Sequence, residues 1–208
     1  TTCRVGLAGH RLTVTHADGQ PVRPIAVDSL VMGMGERYDA VVTADNPGAW
    51  PLIAGPVDSV VPGVVARFVY EGTTGSMPPV TVWPNALLGG RVLRYADLIP
   101  VGEPAAPQVR VAQTLQLTLG TAPFAGYVWT INGQAYPDAD PIALEPDALV
   151  RLRIVNATMM RHPVHLHGHF FRVGTGPGAA SAGPIKDTVL VDPMMGALEL
   201  EFETNNPG

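Results

Sequence analysis

The chain has 208 residues, 46% hydrophobic and 15% charged, with a formal net charge of -5. This balance fits a folded chain with a real core and excludes a disordered acidic tail; without a Lys/Arg cluster, nucleic acid is not an expected partner. No apolar run reaches the length of a membrane span, and Cys3, the only cysteine, can form no intrachain disulfide.

The start, "TTCRVGLAGH", has neither an initiating Met nor a signal-peptide layout and reads as an internal cut. From there, short alternating or β-branched runs recur, bounded by Gly, Pro, Asp and Asn: "RLTVTHADG", "YDAVVTADNPG" and "GVVARFVYEG" in the first part. Later come "TLQLTLG", "YVWTING", "ALVRLRIVNAT", "HFFRVGTGPG", "KDTVLVDP" and "ALELEFETNNPG". Each predicts a short strand followed by turn chemistry. Only "ALLGGRVLRYADL" suggests a helical turn. The expected class is therefore all-β, of the sandwich or Greek-key barrel kind. Residues 72–108 carry many Pro and Gly with little alternation, which predicts an extended linker between two domains, 1–71 and 109–208.

An internal repeat spans that linker. A shift of 159 residues lays "VGLAGHRLTV" (Val5–Val14) on "VHLHGHFFRV" (Val164–Val173), with Val5, Leu7, Gly9, His10 and Val14 meeting identical residues. The same shift brings Gly19 to Gly178 and Asp28 to Asp187. One inserted residue later, the "NPG" at 46–48 meets the "NPG" at 206–208. Two copies of one β-domain are expected. Copy two has a leading part, roughly 109–160, that copy one lacks. Copy one continues into "AWPLIAGPV", beyond the point where copy two stops, so both copies read as truncated.

Four of the six histidines fall in "HPVHLHGH", residues 162–169. On a strand, His165, His167 and His169 would project to one face, and such a group of imidazoles suits Cu, Zn, Ni or Fe. Copy one has Gly6 and Ala8 where copy two has His165 and His167, so the strand does not need those histidines. His10 and His169 share one position although copy one has no cluster, which assigns His169 to packing or hydrogen bonding. His10 and His16 read as ordinary structural histidines. Met159 and Met160 precede the cluster and Met194 and Met195 lie in a turn; all four read mainly as apolar filler. Met159 and Met160 are also candidate thioether contacts for Cu(I). Asp187 could orient an imidazole, although Asp28 at the same position favours a structural role. Glu199, Glu201 and Glu203 alternate and predict the solvated face of an edge strand.

Together "WTINGQAY" (129–136), "RLRIVNAT" (151–158), "HPVHLHGHFFRV" (162–173) and "KDTVLV" (186–191) resemble the third cupredoxin domain of three-domain multicopper oxidases, and residues 1–70 resemble the end of the copper-free middle domain. Within that family the likeness is to bacterial laccase-like and copper-resistance oxidases. The resemblance implies cupredoxin-like folds and copper of types 1, 2 and 3. It implies His162 as a type 1 copper ligand, His165 as a type 2 ligand and His167 as a type 3 ligand, with His169 as no ligand. The implied activity is one-electron oxidation of phenolic compounds or Cu(I) coupled to four-electron reduction of dioxygen to water, in the periplasm or outside the cell.

Besides the matched His162-x-x-His165-x-His167, the family pattern requires two His-x-His pairs from a first domain and a final His-Cys-His segment, which this chain does not contain. The chain alone is therefore expected to be inactive, needing further segments of the same enzyme or another chain. Two other readings stay open: a non-catalytic fragment that binds copper or zinc weakly, and a cupredoxin-like module without redox function.

Overall fold

A computed structural model describes residues 2–74, 76–77, 79–102, 110–122, 128–174 and 183–206. The chain divides into two compact units, Thr1–Leu98 and Ile99–Gly208. Nearly all regular structure in both is strand, as expected, and the single α-helix among the described residues falls where the sequence suggested a helical turn.

The first unit contains β1 (Cys3–Leu7), β2 (Leu12–Ala17), β3 (Gln20–Val27), β4 (Leu30–Met32), β5 (Tyr38–Val41), β6 (Ala49–Pro56) and β7 (Val64–Val69). One sheet has the order β4-β1-β6-β7 and a second the order β3-β2-β5. Asp18 and Gly19 join β2 to β3 with φ of 49° and 80°, the paired left-handed conformation that Asp-Gly supplies in a tight hairpin. Leu7, Leu12, Val14, Val27 and Leu30 form the core between the strands, and Ile53 of β6 anchors a second cluster.

The expected boundary at 71/72 differs from the one observed. Trp83 and Leu87 bury against Ile53, and Leu93 and Leu98 join the main core of the first unit. Leu87 lies on the short helix α1 (Asn85–Gly89), and a 3₁₀ turn follows at Tyr95–Asp97. Asp28 donates its amide to the Arg91 carbonyl while its carboxylate receives the Arg91 amide. Residues 72–98 thus belong to the first unit. Their buried residues, at 83, 87, 93 and 98, follow neither a period of two nor one of 3.6, so the stretch reads as linker although it packs. Residues 75, 78 and 103–108 of the expected linker lie outside the described residues.

The second unit contains β8 (Gln113–Thr121), β9 (Trp129–Ile131), β10 (Leu149–Asn156), β11 (His162–His165), β12 (Phe171–Val173), β13 (Ile185–Lys186), β14 (Thr188–Val191) and β15 (Gly196–Glu203). The larger sheet runs β13-β12-β15-β10-β8-β9, and β11 pairs with β14 in a separate two-stranded sheet. Val150, Leu152 and Ile154 alternate inward along β10.

The repeat holds at the level of register. Cys3↔Met32, Arg4↔Val31 and Val5↔Leu30 of β1–β4 become His162↔Val191, Pro163↔Leu190 and Val164↔Val189 of β11–β14. Leu12↔Val27 of β2–β3 likewise becomes Phe171↔Lys186 of β12–β13. Both copies therefore use the same strand pairings, and each side chain in copy two can be read against its counterpart in copy one.

The glutamates of "ELEFE" correct an expectation. β15 lies between β12 and β10, so it is not an edge strand. Glu201 is buried, and Arg151 directly opposite donates both Nε and Nη2 to its Oε1, at 2.9 and 2.6 Å. Alternation cannot distinguish a charged solvent face from a face covered by a cross-strand guanidinium. Arg151→Ala strands a buried carboxylate and is expected to lower stability by about 2 kcal/mol, less than a fully buried pair because Arg151 is partly exposed. Combining Arg151→Met with Glu201→Leu should recover most of that loss in urea denaturation.

Candidate metal centre

β11 ends at His165, and the chain then turns at His167 and Gly168. Gly168 has φ of 73°, the left-handed conformation that favours glycine, and a Cβ there would also displace the Asn206 amide, 2.7 Å away. The turn corrects the expectation that His165, His167 and His169 share one strand face. His169 folds back so that its Nδ1 donates to the His167 carbonyl at 3.1 Å and its ring meets Phe202 edge-on at 5.5 Å. It is placed by packing and hydrogen bonding, as its counterpart His10 suggested.

The other three histidines occupy two settings. His165 and His167 are exposed neighbours, their ring centroids 4.8 Å apart. His165 Nδ1 lies 2.8 Å from the Asp187 main-chain oxygen. A carbonyl can only accept, so Nδ1 carries the hydrogen and Nε2 keeps its lone pair. The Asp187 carboxylate, which the sequence offered as an orienting group while favouring a structural role, is farther away, with Oδ1 at 3.8 Å from that nitrogen. Its Oδ1 instead receives the Thr188 hydroxyl at 2.8 Å. The main-chain carbonyl of Asp187, between β13 and β14, orients His165, and the Asp187 side chain bonds to Thr188 at the start of β14.

His162, at the start of β11, is partly buried with its ring edge-on to Trp129 at 4.8 Å. Burial holds its pKa below the usual imidazole value, which keeps it neutral. Its Nε2 is 2.8 Å from Thr158 Oγ1. Asn156, fully buried at the end of β10, settles the direction of that bond. Its Nδ2 donates to the Met160 and Val191 carbonyls at 2.7 and 3.2 Å, so its Oδ1 is an acceptor. That oxygen takes the Thr158 amide and the Thr158 hydroxyl at 3.0 and 2.8 Å. The hydroxyl oxygen then accepts from His162 Nε2–H, and the lone pair of His162 falls on Nδ1. Thr158 and Asn156 were not singled out from sequence as site residues. The only trace of them is "VNAT", where Asn and Thr capable of local hydrogen bonds end a strand.

Met159 and Met160 are 76% and 54% exposed, and Met194 and Met195 are 69% and 65% exposed, so the apolar-filler reading does not hold for them. The two pairs lie side by side. Met194 donates its amide to the Thr158 carbonyl and Met195 to the Asn156 carbonyl, both at 2.8 Å.

Two family models, both described as multicopper oxidase, match residues 1–72 and 107–208. The multicopper oxidase MmcO of Mycobacterium tuberculosis is 38% identical over 212 residues, covering 100% of this chain and 40% of that protein. The chain belongs to the multicopper oxidase family. A laccase of Neurospora crassa is 26% identical over 264 residues, covering 99% of this chain and 41% of its own length. Among solved structures, Fet3p, a multicopper oxidase that functions in iron import, superposes with a TM-score of 0.79 at 18% identity, covering 100% of this chain and 49% of that one. The laccase from Botrytis aclada superposes at 0.76 with 22% identity, covering 100% and 45%. These two likenesses establish the cupredoxin-like fold. The chain spans about two fifths of the length of the relatives it matches by sequence.

Membership in the multicopper oxidase family implies copper of types 1, 2 and 3 in the complete enzyme. The histidines of this chain fit part of such a set. His162 and His165 each have one nitrogen tied down by protein and the other left with a lone pair, the state a ligating imidazole requires. Among the described residues, no group of three His, Cys, Asp or Glu side chains could hold a metal ion together.

Proposed function

We propose that this chain is part of a multicopper oxidase that couples one-electron oxidation of phenolic substrates or Cu(I) to four-electron reduction of dioxygen to water. In this reading His162 serves type 1 copper, His165 type 2 and His167 type 3. Copper supplies the one-electron redox chemistry and the affinity for dioxygen. The observation that carries the reading is the division of one four-residue strand and its following turn between two imidazole settings. His162 is sheltered by Trp129 and Thr158, while His165 and His167 stand together in the open.

The protein's own part is orientation. Thr158, held by Asn156, aims Nδ1 of His162; the Asp187 carbonyl aims Nε2 of His165. Burial keeps His162 unprotonated, so no proton competes for its lone pair near neutral pH. Met159 and Met160 are proposed contacts for Cu(I) as substrate, given their exposure and the softness of thioether sulfur. The periplasm or cell exterior is the proposed compartment, and further segments of the same enzyme or another chain complete the ligand sets.

Titration of the 208-residue chain with Cu(II) tests the assignment. His165→Ala and His167→Ala should each weaken binding by about a hundredfold, at or beyond the 10–100-fold typical of losing a residue that only orients a ligand. His10→Ala and His16→Ala should leave the affinity unchanged; equal losses in all four variants would sink the assignment. Since no three donors converge among the described residues, a second reading is a chain that binds copper or zinc weakly without redox function. Colourless binding without phenol oxidation, persisting once the remaining segments of the enzyme are supplied, would select it.

A further inference from the structure

Thr188 and Ser29 hold the same place in the two copies, and both are buried. Their hydroxyls serve different partners. Ser29 Oγ donates to the Leu87 carbonyl of α1 at 3.1 Å and receives Arg4 Nη1 at 2.9 Å. The Leu87 side chain lies against Gly6, where a Cβ would come within 3.0 Å of its Cδ2, and Ala8 packs on the same cluster. Gly6 and Ala8 are the positions that carry His165 and His167 in copy two. The Ser29 hydroxyl thus anchors a helix that fills the space beside the two positions without imidazoles.

Copy two offers its hydroxyl neither partner. Pro163 replaces Arg4, and no second α-helix occurs among the described residues. Thr188 instead lies directly opposite His165 in the β11–β14 pair. Its hydroxyl donates to Asp187 Oδ1 at 2.8 Å, because a carboxylate can only accept. With the hydroxyl hydrogen so engaged, the oxygen presents a lone pair to His165 Nδ1, 3.2 Å away. The nearer acceptor of that N–H, the Asp187 carbonyl at 2.8 Å, is shared with the Leu166 amide at 3.2 Å.

We propose that Thr188 is a positioning residue for His165, its hydroxyl held by the Asp187 carboxylate so that the oxygen is a second acceptor for Nδ1–H. One acceptor leaves the imidazole able to rock about its bond to Cβ; two fix the ring and the direction of the Nε2 lone pair. The carboxylate, too far from the ring to bond directly, acts on it through the hydroxyl. An N–H held in this way also makes the opposite nitrogen a stronger donor. That Nε2 serves type 2 copper rests on the function proposed above; the positioning of the ring does not.

Thr188→Val removes the hydroxyl and keeps the shape, whereas Thr188→Ser keeps the hydroxyl, as Ser29 does in the first unit. Nitrogen-15 NMR of the metal-free chain at roughly pH 8, where imidazole is neutral, reads both ring nitrogens. In the valine variant the Nδ1 and Nε2 signals of His165 should draw together as the second tautomer gains population. The serine variant should keep the parent signals, and His162 should be unchanged in both. Asp187→Ala should move the His165 signals in the same direction, and should add nothing once Thr188 is valine, because the two act in series. Should the valine variant not fold, Asp187→Ala alone decides. In Cu(II) titration Thr188→Val should bind about tenfold more weakly, the low end for losing an outer hydrogen bond to a ligand, and Thr188→Ser as the parent does. His165→Ala separates the two ideas: unchanged Cu(II) affinity there ends the type 2 assignment, while the NMR result still judges Thr188. His165 signals at their parent positions in Thr188→Val or Asp187→Ala, or equal changes in the valine and serine variants, overturn the proposal.

Discussion

Asn156→Ala is expected to destabilise the second unit by about 3 kcal/mol and to loosen His162. Asn156 is fully buried, and its amide links the end of β10, the 157–161 loop and β14. Alanine leaves the Met160 and Val191 carbonyls and the Thr158 amide without this partner. Each buried group left unpaired costs about 1–3 kcal/mol, so even partial relaxation leaves a large loss. Asn156→Asp should fare no better, since a carboxylate oxygen would face two carbonyls where the amide now donates. A urea midpoint in either variant within error of the parent would refute the role given to Asn156. The same change removes the nearer of two acceptors of the Thr158 hydroxyl, leaving the Met160 carbonyl at 3.1 Å, so the hydrogen bond to His162 should weaken and its ring nitrogen signals shift by NMR.

Phe171→Ala should have the largest effect of any single truncation, about 4 kcal/mol, because the ring is among the largest fully buried side chains and removing it leaves a cavity. The residue before it supplies the control. Phe170 is 49% exposed, and Phe170→Ala should cost below about 1 kcal/mol. Phe171→Leu, which keeps most of the volume, should cost about 1.5 kcal/mol. Urea denaturation with an unchanged slope tests all three, since a change of slope would mean a change in compactness rather than in packing. Equal losses at 170 and 171 would show that β12 presents the wrong face to the core.

The choice between those two phenylalanines was legible once the repeat was found. Phe171 falls on Leu12 and Phe170 on Arg11, and Leu12 is buried while Arg11 is exposed. The same internal comparison removed His169 from the candidate ligands, and the turn at Gly168 supplies the physical cause. Where the repeat offers no counterpart, sequence reasoning was weaker. Residues 72–98 were read as linker because their buried side chains follow no period. Glu201 was read as solvated because alternation does not reveal that β15 is central. The exposure of the four methionines was likewise missed, since composition cannot tell an apolar residue in a core from one on a loop.

The sequence by itself determined the all-β class, the duplication, the histidine cluster and the family. These rest on short-range patterns, period-two alternation, turn residues and the fixed spacing of a motif, which the chain carries wherever it folds. Only the tertiary structure decided which nitrogen of His162 and of His165 keeps its lone pair and which group aims it. Those properties depend on Thr158, Asn156, Trp129 and the Asp187 carbonyl reaching the histidines from other strands and loops. Hydrogen-bond direction is set by which donor meets which acceptor across that space, and no local pattern encodes it.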